Sequence, residues 1–194
     1  MLDNNNIDEY LGLERKDTIT DDEAACATAM IWALRSKDPS TQVGACIYKD
    51  GVLLSIGYNR PPRGWSDSAF FWGKPDNPLY GKYPYIIHAE HSAISNYRGY
   101  KHDLEGSTML VTLFPCEQCA QDIAEAGIKK LIYINTRGPI ENTPAMMLLN
   151  NAGIEVVSLR DVASVTLQSL YLSTTPTTNG AVRSKRRLYN GNTI

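Results

Sequence analysis

The stretch TMLVTLFPCEQCAQDIAEAGIKKLIYIN, residues 108–135, decides the fold. Residues 108–113 are apolar and rich in β-branched side chains, which predicts a strand. Residues 117–126 follow as a helix, with Gly127 placed to close it as a left-handed cap. Residues 131–135 return to a strand. Downstream, Thr143-Pro144 is an N-cap with proline at the first helical position, opening a helix that ends at Gly153. Residues 154–159 are the last clear strand. Upstream, residues 88–97 read as a helix. Residues 43–48 and 52–56 form a hairpin about Lys49-Asp50-Gly51. Thr20-Asp21-Asp22-Glu23 is a capping box ahead of an Ala-rich helix that carries Met30, Ile31 and Leu34 and stops before Asp38-Pro39. The order α-β-β-α-β-α-β-α-β predicts an antiparallel opening hairpin, then a mostly parallel sheet with helices on both faces.

The rest of the chain fits one domain with appendages. At 194 residues it is long enough to bury a core. Hydrophobic residues make up 43% and charged residues 21%, which excludes a disordered tail, a collagen and a coiled coil. The formal charge of −2 gives no broad electrostatic footprint for nucleic acid, so a nucleic-acid partner is not expected. No apolar run approaches the roughly 18 residues of a membrane span. The acidic start MLDNNNIDEY lacks the layout of a secretory signal, so the chain is read as cytoplasmic, in a host cytoplasm if the source is viral. We divide it into an N-terminal extension, 1–19, a domain, 20–159, and a C-terminal extension, 160–194, with the basic cluster Arg183, Lys185, Arg186 and Arg187. Residues 57–84 form a long Gly-, Pro- and aromatic-rich loop, a length usually functional or disordered, and Trp65, Phe70, Phe71, Trp72 and Tyr80 argue against disorder.

Chemistry concentrates in His88-Ala89-Glu90 and Pro115-Cys116-Glu117-Gln118-Cys119. Cys116 and Cys119 begin a helix, whose positive end favours thiolates. His88 opens another helix and supplies an imidazole. One His and two Cys are a catalytic zinc count, with a fourth position left for water whose pKa falls toward about 7. Glu90, two residues from His88, can reach that water without being a ligand and carry its proton. The remaining cysteines, Cys26 and Cys46, read as core, and His91 and His102 as surface or capping residues. A closed structural zinc site or an idle dithiol is the bland alternative.

At these residues the chain resembles the cytidine/deoxycytidylate deaminase superfamily, and within it the dCMP deaminases: His-x-Glu followed by Pro-Cys-x-x-Cys is a zinc-deaminase signature. Arg35-Ser36-Lys37-Asp38-Pro39, Gln42-Val43-Gly44-Ala45-Cys46, Gly57-Tyr58-Asn59, Lys82-Tyr83-Pro84-Tyr85 and Ala126-Gly127-Ile128-Lys129 extend the likeness over about residues 20–158. It implies a three-layer α/β/α fold with a five-stranded mixed sheet, a zinc ion on His88, Cys116 and Cys119, and hydrolysis of dCMP to dUMP and ammonia with Glu90 as proton shuttle. It implies substrate contacts from the Ala89 main chain and Asn59, with Tyr83 a candidate wall of the pyrimidine pocket. It also implies a homo-oligomer, often a hexamer, with dCTP and dTTP as effectors near Tyr58 and the 35–38 region. Three positions depart from the pattern. Arg60 stands where a glycine is usual, Ser92 where an asparagine is usual, and Arg137 where a tyrosine is expected. Arg137 is a candidate for a substrate phosphate oxygen.

Alternatives stand beside these readings. Arg35 and Lys37 can hold a phosphate or simply complement a helix C-terminus. Phe70, Phe71 and Trp72 suit core or subunit interface better than substrate stacking. A deaminase of a nucleic-acid base, which must flip its target into the pocket, finds electrostatic support in the basic C-terminal cluster. A free-nucleoside deaminase and a zinc-stabilised binding subunit complete the set; the latter has no use for Glu90.

Overall fold

A computed structural model describes residues 18–159. The C-terminal extension with its basic cluster, and all but the last two residues of the N-terminal one, lie outside the described residues. The expected order is found: α1 (Asp21–Ala33), β1 (Gly44–Lys49), β2 (Val52–Tyr58), α2 (Ala89–Asn96), β3 (Thr108–Leu113), α3 (Glu117–Glu125), β4 (Lys130–Asn135), α4 (Pro144–Asn151) and β5 (Glu155–Ser158). Local chemistry sets the boundaries. The Thr20 hydroxyl accepts the Glu23 N–H and the Glu23 carboxylate accepts the Thr20 N–H, closing the capping box. Asp50 (φ 51°) and Gly51 (φ 74°) are both left-handed, as a two-residue hairpin turn between right-twisted strands requires. The Thr143 hydroxyl accepts the Met146 N–H ahead of Pro144.

The sheet runs β2-β1-β3-β4-β5. The β3, β4 and β5 strands are parallel, while β1 is antiparallel to both its neighbours. The sheet is mixed, and less parallel than strand–helix alternation suggests. The segment from β2 through α2 to β3 does join two parallel strands, but β1 lies between them and opposes both.

Alternation along the strands builds a core on each face. Ala45, Ile47, Met109, Val111 and Leu131 pack with Ala89 and Ala93 of α2, Ala120 and Ile123 of α3, and Leu149 of α4. Cys46, Tyr48, Leu110 and Ile132 face the other way, onto Ala25, Cys26 and Ala29 of α1. Helices therefore cover both faces. Burial pushes the Cys26 and Cys46 thiols up to about 12, as expected of inert core cysteines.

The α2 helix is pinned to β2 more closely than side chains normally allow. A Cβ on Gly57 would lie 2.9 Å from the Ala93 Cα and nearer still to the Ala89 carbonyl oxygen and the Ala93 nitrogen. The Ser55 hydroxyl donates to the Ala93 carbonyl at 2.6 Å, and the Asn96 amide donates to the Ile56 carbonyl at 2.9 Å. The long loop before α2 is organised by its aromatics. Trp65 contacts Phe70, Phe71 and Tyr85 at centroid separations of 5.2, 5.7 and 5.1 Å, and Phe70 is buried against Trp72 at 4.7 Å.

Candidate metal centre and active-site cleft

Two helix starts meet to form the centre. His88 is the N-cap of α2 and Cys116 the N-cap of α3, and neither uses its side chain to cap its helix. Ser, Thr, Asp or Asn at such a position would be worth roughly 0.5–2 kcal/mol over a non-capping residue. Both side chains are turned toward each other instead. His88 Nδ1 lies 3.4 Å from Cys116 Sγ and 3.3 Å from Cys119 Sγ. Backbone pairing sets the approach of His88: Arg60 N–H donates to the Ile87 carbonyl and Ile87 N–H to the Arg60 carbonyl, at 3.0 and 2.9 Å. On the other side, the Phe114 N–H is held by the Asn135 carbonyl at 2.7 Å, just before Pro115 and Cys116.

The three donor atoms lie within 4.8 Å of one another, and among the described residues no other His/Cys/Asp/Glu group is so disposed. One imidazole and two thiols are a borderline-soft set that suits zinc. Their mutual contacts shift their protons. The hydrogen bond from Cys119 and then that of His88 hold the Cys116 thiol down to about 3, against burial. The Cys119 thiol is pushed up by Cys116 and by burial. The His88 imidazole is raised by its hydrogen bond with Cys116, against burial. Glu90, on the first turn of α2, is buried at 4% exposure, and burial lifts its carboxyl above the usual carboxylate range, opposed by its own backbone N–H and by His88.

A cleft of about 350 Å³ opens on this centre. It brings together His88, Cys116, Ala89, Glu90, Asn59, Tyr83 and Arg137, from five separated stretches of chain; Cys119 closes the centre behind them. The Asn59 carboxamide is held on all sides. Its oxygen accepts the Val43 N–H at 2.8 Å, and its nitrogen donates to the Thr41 carbonyl at 2.9 Å and to Asp38 Oδ2 at 3.4 Å. Tyr83 and Arg137 are exposed and stand at the mouth. Lys74 approaches the Tyr83 ring at 5.4 Å, and its hydrogen bond lowers the Tyr83 phenol, helped by Lys82 and Arg137.

The other predicted residues gather elsewhere. Arg35, Ser36, Lys37, Tyr58 and Arg60 line a second cleft of about 1150 Å³ with Trp32, Arg63 and Trp65. Trp32 and Tyr58 stack at 6.0 Å, and the Arg35 guanidinium lies 5.9 Å from each ring centroid. Lys37 pairs with Asp67 at 2.5 Å, so its charge is already met locally. His91 pairs with Asp122 of α3 at 2.8 Å on the surface, and Tyr85 belongs to the aromatic cluster, as packing residues would.

In the sequence Asp38 stands out only as part of the 35–38 effector region and Lys82 only as part of a motif, yet both line the catalytic cleft. They form a buried ion pair, with Lys82 Nζ 2.6 Å from both Asp38 oxygens. Each lies in a quoted motif, but nothing in a linear pattern pairs residues 44 positions apart. Asp38 also lines the second cleft, so one side chain walls both.

Comparison with known proteins follows the same residues. The family model described as the cytidine and deoxycytidylate deaminase zinc-binding region matches residues 19–135. The deoxycytidylate deaminase of Homo sapiens is 42% identical over 145 residues, 73% of this chain and 80% of that protein. That of Enterobacteria phage T4 is 33% identical over 167 residues, covering 68% and 86%. The crystal structure of dCMP deaminase from cyanophage S-TIM5 in complex with dCMP and dUMP superposes with a TM-score of 0.58 at 28% identity, covering 70% of this chain and 94% of that one.

Proposed function

The chain belongs to the cytidine and deoxycytidylate deaminase family, and from that footing we propose that it hydrolyses dCMP to dUMP and ammonia with one zinc ion. The observation that carries this is Glu90, a buried carboxyl sharing one cleft with the His88, Cys116 and Cys119 donor set. When bound by those three side chains, zinc supplies a water activated at neutral pH. The remaining steps fall to the chain. As the water oxygen bonds to C4 of the pyrimidine, the Glu90 carboxylate takes one of its protons to ring N3 and then the second to the amino nitrogen, so that the C4–N bond breaks and ammonia leaves neutral. Its raised affinity for protons suits a group that must hold one in transit. The Ala89 N–H, at the unpaired start of α2, donates to the pyrimidine carbonyl. Asn59 lines the sugar side, Tyr83 walls the mouth, and Arg137 meets the phosphate there.

The same reading gives the second cleft to nucleotide effectors, dCTP and dTTP. Cationic Arg35, Arg60 and Arg63 and the Trp32–Tyr58 stack offer partners for phosphate and base. Arg60 lines this cleft, with its guanidinium donating to the Pro61 carbonyl at 3.1 Å. We take residues 20–159 as the catalytic domain flanked by two extensions, and the protein as a cytoplasmic homo-oligomer, a hexamer by resemblance. Apolar Ile31 on α1 and Leu34 at its C-cap, and Val52 and Leu53 on the edge strand β2, are exposed and available for such contacts. No helix among the described residues is long and apolar enough to cross a membrane.

The test is ammonia release from dCMP, deoxycytidine, dCTP and CMP in parallel by the zinc-loaded protein, with and without dCTP and dTTP. Turnover of dCMP in preference to the others is expected, abolished in Glu90→Gln with zinc retained. Failure to turn over dCMP, or activity surviving in Glu90→Gln, would overturn the reading.

A further inference from the structure

We propose that Lys82, held in place by Asp38, is a specificity-determining residue that reads the O3′ hydroxyl of the substrate's deoxyribose. The inference deepens the dCMP reading above and rests on it. Lys82 and Asp38 are both 3% exposed, and both line the catalytic cleft. Taking two charges out of water costs several kcal/mol per ion, and well-packed apolar side chains often serve stability as well or better. A pair retained at that cost in the wall of a cleft points to recognition.

The chemistry of the pair narrows what it recognises. Asp38 is saturated: it accepts the Ser40 and Thr41 N–H groups at 2.8 and 3.1 Å, the Asn59 amide at 3.4 Å, and Lys82. An ammonium group has three protons and Asp38 takes at most two, which leaves one N–H of Lys82 unclaimed by Asp38 on a residue that lines the cleft, where Nζ lies 5.7 Å from the Tyr83 ring centroid. With its charge balanced by Asp38, that donor suits a neutral oxygen rather than a phosphate. The deoxyribose of a 5′-nucleotide offers one free hydroxyl, O3′. Asn59 cannot replace Lys82 as the donor, because both ends of its amide are already engaged by Thr41, Asp38 and Val43. Depth agrees: Glu90 and Lys82 are buried, while Tyr83 and Arg137 are exposed at the mouth. Base, sugar and phosphate lie in that order along a nucleotide.

The experiment compares kcat/KM for dCMP and for 2′,3′-dideoxycytidine 5′-monophosphate, in the wild-type and Lys82→Met enzymes, each assayed for zinc content. A hydrogen bond to a charged group predicts a wild-type preference for dCMP of about 10- to 100-fold. In Lys82→Met the preference collapses toward unity, because dCMP loses the contact and the dideoxy nucleotide never had it. A merely structural role would lower both substrates alike and keep the ratio, and that result overturns the assignment. So does a wild-type enzyme indifferent to O3′, whatever the variant does. Should Lys82→Met fail to fold, Lys82→Gln keeps a donor for Asp38 on a shorter side chain and is expected to show the same collapse. No turnover of dCMP by wild type would instead refute the dCMP reading, and this assignment with it.

Discussion

Replacing Gly57 by alanine tests whether the contact between α2 and β2 sets the catalytic geometry. The new Cβ would lie 2.9 Å from the Ala93 Cα. Carbon atoms in ordinary contact are about 3.5–4.0 Å apart, so α2 must retreat by about 1 Å. Its nearest neighbours are backbone atoms, so no rotamer change can relieve the clash. His88 and Glu90 sit at the start of that helix and move with it. Overpacking of this kind costs about 1–3 kcal/mol, which in a chain of this size lowers Tm by roughly 2–12 °C. Misplacement by 1 Å can cost about 100-fold in rate. We therefore expect kcat/KM on dCMP to fall by about two orders of magnitude, beyond what the loss of folded enzyme explains at 25 °C. Gly73→Ala is the control, since its Cβ would meet only Pro75 Cδ at 3.9 Å. A Gly57→Ala enzyme with wild-type Tm and kcat/KM would refute the claim that this close approach positions the site.

Cys119→Ala should lose zinc and thermal stability together, and chelation of the wild type should lower Tm in the same direction; metal analysis with a melting curve checks both. Arg137→Ala should raise KM for dCMP at least tenfold more than for deoxycytidine, as loss of a charge-assisted phosphate contact requires; equal effects would remove it from phosphate recognition. The core thiols predict a weakening at alkaline pH. Cys26 and Cys46 are raised to about 12, so below the ordinary thiol range, near 8.5, their contribution is fully present. Between there and about 12 the unfolded chain ionises first and binds fewer protons, so stability falls as pH rises. Urea midpoints from pH 8 to 10.5 should decline more steeply in wild type than in Cys26→Ala/Cys46→Ala.

Legibility in the sequence followed the range of the interaction. Thr20 with Glu23, Asp50-Gly51, Gly127 and Thr143-Pro144 are local devices, and each was readable because its partners lie within a few residues. The zinc donors were readable although His88 and Cys116 lie 28 positions apart, because the chemistry restricts them to a few residue types at fixed short spacings. The antiparallel placement of β1 beside β3 was not, since the alternation of strands and helices says which strands are parallel but not which strand lies between them. The Asp38–Lys82 pair escaped for a related reason: Lys82 stood out only as part of a motif, and its buried partner is fixed by the path of the loop, not by spacing. The second cleft was half legible. Arg35, Tyr58 and Arg60 were marked, whereas Trp32 and Arg63 join them only once β2 lies beside α1.

The meeting of two helix starts also bears on the chain before it folds. A metal gripped by both His88 and Cys116 closes a ring of 28 residues, running through α2 and β3. By the loop-entropy rule for covalent cross-links, a ring of that size would remove about 3–4 kcal/mol of freedom from an unfolded ensemble that kept both ligands. Held by His88 and Cys116, the ion would act as a reversible staple as well as a reagent, joining the start of one helix to the start of the next, so that fraying of either end would first have to release a ligand.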